Sequence, residues 1–216
     1  MRKGKYRVCG VVVDTSEEAI CGVSDADIVE IRADLIGRRW SDVAEKIHKP
    51  WIFTDRKVEK RTLVRKIEKA RALGASFVDI SIEHSSGRLI KRCQESGLKV
   101  IVSYHNLSLT PPVDELYKIF QKMKEVGADI YKFATMATDE EDNSVPLALL
   151  ASFSDTAEIV AFCMGELGLM SRILAPVFGA PFTYAAAVEG KESAQGQLTV
   201  AKMRSILDRL DEDNGN

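Results

Sequence analysis

The chain has 216 residues, 45% hydrophobic and 29% charged, the mix of an ordinary soluble globular protein. Thirty Lys and Arg against thirty-two Asp and Glu give a net charge of −2, without the basic excess of a nucleic-acid binder. Apolar residues are plentiful and evenly spread, which excludes disorder for the bulk of the chain.

Arg2, Lys3 and Lys5 precede a first apolar run, Tyr6–Val13, that stops at Asp14. It reads as a strand and not as a secretory signal. Further strands are predicted at Ile28–Arg32, Trp51–Thr54, Phe77–Ile82, Lys99–Tyr104, Ile130–Ala134, Ile159–Met164 and Phe182–Ala185. Amphipathic helices are predicted between them. Val58–Leu73 spaces Leu63, Ile67 and Ala70 helically and stops at Gly74. Val113–Val126 does so with Leu116, Ile119, Phe120 and Met123 and stops at Gly127. Residues 139–153, 167–178 and 196–210 read as further helices, with weaker patterns near 15–22, 41–48 and 85–96. Strand–helix alternation repeated about eight times predicts an α/β protein with parallel strands. Eight such units fit a (β/α)₈ TIM barrel, one domain over residues 1–210. Residues 211–216 are expected to be a disordered tail. The rival, an open doubly wound sheet, lacks a GxGxxG turn after its first strand.

Other classes fall away on local grounds. The least polar stretch, Ile173–Val188, is broken by Pro176, Gly179 and Pro181 and falls short of the ~20 residues of a membrane span. Cys9, Cys21, Cys93 and Cys163 are far apart, so no zinc site or disulfide framework is expected. Scattered thiols fit a reducing cytoplasm. No metal, cofactor, nucleic acid or membrane partner is expected.

Polar side chains inside the apolar strands carry the functional signal. Successive strand residues face opposite sides, so Glu30, Arg32 and Asp34 share one face and Val29, Ile31 and Ala33 the other. Asp79, Ser81 and Glu83 share a face, as do Ser103 and His105. Lys132 stands with Ile130 and Ala134, opposite Tyr131 and Phe133. Outer barrel faces pack on helices, so the polar set is expected inside. Most of it lies late in its strand, at the end where barrel enzymes carry their sites. An unpaired buried charge costs several kcal/mol. Mutual neutralisation of Glu30 and Arg32 accounts for one pair and not for the whole set. His48 and His84 fit structural roles. His105, closing an apolar strand, does not, and Lys132 among apolar neighbours does not read as a solvated edge lysine.

A lysine in such a barrel suggests covalent chemistry. Desolvation and nearby cations free an amine of ordinary pKa ~10.4 to attack a ketone, and Arg32, Arg56 and Arg172 supply cations. The resulting imine acidifies the adjacent carbon. His105, one strand away, suits the base that takes that proton.

These residues resemble type I 3-dehydroquinate dehydratase from the first strand to the last helix. The motifs are Glu30-Ile-Arg32-Ala-Asp34, Thr54-Asp-Arg56, Ser103-Tyr-His105-Asn, Asp129-Ile-Tyr-Lys132, Met164-Gly-Glu, Ser171-Arg172 and Ser193-Ala-Gln-Gly-Gln197. The resemblance implies a lyase that dehydrates 3-dehydroquinate to 3-dehydroshikimate through a lysine imine, in aromatic amino-acid biosynthesis. It implies Lys132 as the imine lysine and His105 as the general acid/base. Arg172 is implied as the carboxylate clamp, and Glu30, Arg32 and Arg56 as binders of ring hydroxyls. Met164 would be an apolar wall, and Ser193 and Gln197 the tip of a closing loop. A homodimer stays open. The chain departs from the family twice. After Arg56 it reads Lys-Val-Glu59-Lys-Arg, without the glycine pair and with the acid one place early, so Glu59 is the candidate to assist His105. The position two after Asp79 is Ser81, with Glu83 two further on, which leaves the orienting partner of His105 open. The nearest rivals are another imine-forming aldolase or transaldolase on the same barrel, of the kind that acts on sugar phosphates, and a non-catalytic metabolite sensor. The first needs a phosphate site in its last loops, usually glycine-rich, where Glu189–Gln197 here carries two acids. The second would not require both His105 and Lys132.

Overall fold

The computed structural model describes residues 6–213. Its strands are β1 (Val8–Val12), β2 (Ile28–Arg32), β3 (Trp51–Thr54), β4 (Phe77–Ser81), β5 (Lys99–Asn106), β6 (Ile130–Met136), β7 (Ile159–Met164) and β8 (Thr183–Ala186). All eight pair in parallel, in the order β7-β6-β5-β4-β3-β2-β1-β8, and form the expected (β/α)₈ barrel. The ladder leaves one seam, between β7 and β8. Side chains close it: Phe162 and Tyr184 pack with ring centres 5.8 Å apart.

Strands buried on both faces explain the near-continuous apolar runs. The outward set, including Val29, Ile31, Phe53, Val102 and Phe133, packs under the helices. The inward set includes Ile28, Ile52, Ile101, Ile130 and Val160 and forms a separate apolar cluster. The helices Lys60–Ala72 and Val113–Glu125 bury the expected rows, Leu63, Ile67 and Ala70 in one and Leu116, Phe120 and Met123 in the other.

Several boundaries differ from expectation. β5 runs to Asn106 and β6 to Met136 because their ends pair with each other and with β7, through His105↔Ala134, Asn106↔Thr135 and Met136↔Met164. Residues 141–143 form a 3₁₀ turn before the helix Ser144–Phe153. The helix expected over 167–178 shortens to Leu169–Leu174, and Pro176 follows it. A one-turn helix, Ala33–Ile36, follows β2 and has no counterpart in the sequence reading. The last helix, Val200–Asp213, takes in the first three residues of the expected tail, and residues 214–216 lie outside the described residues.

Candidate active site

The period-two reading of β2, β4, β5 and β6 places carboxylates, guanidiniums and the Lys132 amine at the C-terminal mouth. They line a cavity of about 500 Å³. Lys132 is 5% exposed. Its Nζ lies 3.1 Å from Asp79 Oδ2 and 3.6 Å from Glu30 Oε1, and 4.0 Å from the centre of the Tyr184 ring. Both carboxylates are anchored. Glu30 accepts a hydrogen bond from Thr54 Oγ1 at 2.8 Å. Asp79 accepts from Ser103 Oγ at 2.6 Å and from Arg56 Nη2 at 2.6 Å, while Arg56 Nη1 donates to Ser103 Oγ at 2.7 Å. Burial alone would raise the pKa of Asp79. Arg56 and Lys132 outweigh it and hold the carboxyl well below the usual carboxylate range. Arg32 donates from Nε and Nη2 to the two oxygens of Asp34, at 2.9 and 2.8 Å, a bidentate clasp that fixes its guanidinium.

His105 lines the same cavity, half-buried, one strand from Lys132. None of the described residues hydrogen-bonds its imidazole. Burial first, then the positive charges of Arg56 and Lys132, pull its pKa well below 6.5. The ring is therefore neutral at physiological pH, the form that accepts a proton.

The β7–β8 side is built differently. Arg172 is fully buried, and none of its three guanidinium nitrogens has a hydrogen-bond partner. Its Cζ lies 4.3 Å from the centre of the Phe162 ring. Burial lowers its pKa to about 10, which leaves it charged at neutral pH. The neighbouring residue secures its backbone. Ser171 Oγ accepts from Cys163 N at 2.8 Å and donates to Gly168 O at 2.9 Å, and Ser171 N donates to Asn143 Oδ1 at 2.8 Å. Thr183 Oγ1 donates to Arg172 O at 2.7 Å, tying this short helix to β8. A buried cation so firmly placed and so unpaired is suited to bind an anion.

The segment after β8 crosses the seam. Gln195 O accepts from Gly165 N at 3.0 Å, and Gln197 Oε1 accepts from Ser193 N at 3.0 Å. Gly196 has a φ of 75° and packs so close to the turn after β7 that a Cβ would stand 2.0 Å from Gly165 O. Only glycine fits there. Ser193, Ala194, Gln195 and Gln197 line the cavity.

The structure thus gathers Lys132, His105, Glu30, Arg32, Arg56, Met164, Arg172, Ser193 and Gln197 around one cavity. It does not bring in Glu59, which is exposed just before the helix Lys60–Ala72 and lies outside the cavity lining. Glu59 directly precedes the first turn of that helix, with extended backbone and no side-chain hydrogen bond to the helix end. Glu83 does line the cavity, but it accepts its hydrogen bond from Ser81 and not from His105. Sequence reasoning did not assign roles to Asp79, Phe162 and Tyr184. Asp79 was legible as an inward-facing strand carboxylate. Tyr184 was legible as the period-two partner of Phe182, though strand alternation alone gives no role to its hydroxyl.

Sequence comparisons with known proteins point to one family. The model for type I 3-dehydroquinase matches residues 11–214. A 3-dehydroquinate dehydratase of Dehalococcoides mccartyi is 36% identical over 219 residues, covering 96% of this chain and 97% of its own. One from Methanococcus maripaludis is 36% identical, covering 94% of this chain and all of its own. The crystal structure of a type I 3-dehydroquinate dehydratase from Clostridium difficile, with covalently modified comenic acid, superposes with a TM-score of 0.83. It is 22% identical and covers 98% of this chain and 94% of its own, a likeness that speaks for the fold.

Proposed function

The chain belongs to the type I 3-dehydroquinase family, and on that premise we propose how its own residues perform the reaction. The enzyme is a hydro-lyase that converts 3-dehydroquinate to 3-dehydroshikimate through a lysine Schiff base, a step of the shikimate pathway. One observation carries the assignment of residues: an amine, Lys132, and a buried, unpartnered guanidinium, Arg172, line one cavity. That pair fits a ketone and a carboxylate on the same small molecule.

Arg172 binds the carboxylate through its planar N–H donors. Arg32, whose Nε and Nη2 are taken by Asp34, offers Nη1 to a ring hydroxyl. Glu30 and Arg56 hold others, and Met164 and Phe162 form the apolar wall. Lys132 Nζ, positioned by Asp79 and Glu30, passes one proton to neutral His105 and attacks the ketone carbon; the ketone oxygen takes that proton back from His105 and a second from the nitrogen and leaves as water, giving the protonated imine. Neutral His105 takes a proton from the carbon beside the imine. The electron pair moves through the enamine and expels the β-hydroxyl, which leaves as water with the proton from His105. Hydrolysis of the imine consumes one water and frees the enone, so the net change is loss of one water. The segment 189–197 closes over the cavity and limits access of bulk water to the imine.

A cytoplasmic location is part of this reading. The free cysteines support it, and among the described residues no helix is long and apolar enough to cross a membrane. Borohydride reduction during turnover, followed by peptide mass mapping, tests the whole assignment. The adduct is expected on Lys132, and an adduct on another lysine overturns it.

A further inference from the structure

Among the described residues, the buried side-chain polar atoms without a hydrogen-bond partner are the three nitrogens of Arg172 and the hydroxyl of Tyr184. Folded proteins leave few such atoms, and each calls for a physical reason. Here both residues line one cavity. The mechanism above employs Arg172 and gives no role to the tyrosine hydroxyl.

Tyr184 is 2% exposed, and its ring is fixed on three sides. Phe182 packs edge-on at 5.5 Å, Phe162 lies at 5.8 Å, and Lys132 Nζ stands 4.0 Å from the ring centre. Phe162 is also the ring on which Arg172 rests, so the phenol and the guanidinium share one phenylalanine neighbour. The two carboxylates beside Lys132 do not use the hydroxyl. Glu30 is bonded to Thr54, and Asp79 to Arg56, Ser103 and Lys132. Burial, and next the charge of Glu30, raise the pKa of the phenol well above 10. The group stays protonated, which makes it a donor and not a base.

We propose that the Tyr184 hydroxyl is a further substrate-binding group, donating a hydrogen bond to the substrate carboxylate beside Arg172. A carboxylate has about four acceptor sites and a guanidinium fork fills two, so a neutral donor in the same cavity complements the cation. The aromatic ring beneath Lys132 adds a π face against the positive charge of the iminium. This inference rests on the function proposed above and adds one group to its anion site.

Tyr184→Phe separates the hydroxyl from the ring, because it keeps the packing and the contact with Lys132. A hydrogen bond to a charged group is worth about tenfold or more in binding, so KM for 3-dehydroquinate is expected to rise about tenfold with a smaller change in kcat. The melting temperature should hold or rise, since an unpartnered buried hydroxyl is removed. Borohydride trapping with cyclohexanone, a ketone without a carboxylate, should proceed at the wild-type rate. An unchanged KM overturns the proposal. An equal loss with both ketones also overturns it, because the hydroxyl would then serve the ring or the imine. If 3-dehydroquinate does not lead to trapping of wild-type Lys132, the function itself fails and takes this inference with it. That outcome is read on the wild-type protein and is distinct from a silent Tyr184→Phe.

Discussion

Between β2 and β6 the charges of the cavity answer one another within the protein, whereas between β7 and β8 they do not. Asp79 holds Arg56, Ser103 and Lys132, Asp34 clasps Arg32, and Thr54 fixes Glu30. Arg172 and Tyr184, by contrast, lie fully buried with no acceptor. The first half is preorganised because each charge is oriented by a partner before substrate arrives. The second half keeps its desolvated donors uncommitted, so an anion can be bound without first breaking an internal bond. Reactive amine and anion clamp therefore sit in one cavity on opposite electrostatic terms.

Substitutions can break this contrast, beginning with the amine. Lys132→Ala should abolish turnover and the borohydride adduct, read by mass spectrometry, while the uncommitted half still binds ligand, read by calorimetry. His105→Ala should slow turnover by about 10²–10⁴-fold and accumulate trapped imine; near-normal rates in that variant would exclude the role. Arg172→Met and Asp79→Ala set the two halves directly against each other. The first should raise KM by about a hundredfold, the scale of a charge-assisted bidentate contact. In urea melts it should leave stability unchanged or raise it, because an unpaired buried charge gives way to an apolar chain of similar length. The second should cost about 3–5 kcal/mol in the same melts, because it strips Lys132 and Arg56 of their shared anion. Equal stability changes in the two variants would erase the distinction.

The pH dependence sharpens the same picture. The folded-state pKa of His105 lies well below 6.5, so the acid limb of kcat/KM should fall well below pH 6.5. In the unfolded chain the histidine takes its proton near 6.5. Its contribution to stability is thus present above that pH and is lost as pH falls. Asp79, whose pKa is also depressed, loses its contribution in the same direction as pH drops below 3.8. Melts of wild type and His105→Gln across pH 4–8 should converge at the acid end. The smallest effects belong to the loop over the seam. Gln197→Ala should raise KM and lower kcat only several-fold, since the chemistry lies elsewhere. Gly196→Ala should loosen the segment and increase proteolysis at 189–197, because a Cβ collides with Gly165 O.

The sequence by itself determined the architecture and most of the site's cast. Strand runs buried on both faces and helices ended by glycine set the eight-fold alternation, and period two put Glu30, Asp79, Ser103 and Lys132 on one face. These signals are local, carried by neighbours within a few residues. Only the tertiary structure decided the rest. Glu59, directly before the helix Lys60–Ala72, lies outside the cavity lining. Asp79 became the hub because the turn after β3, together with β5 and β6, converges on it, with partners 23, 24 and 53 residues away in the chain. That Arg172 and Tyr184 lack acceptors was equally invisible. An unpartnered donor is defined by every group packed around it, and those groups come from β6, β7 and β8, which meet only when the barrel curls on itself.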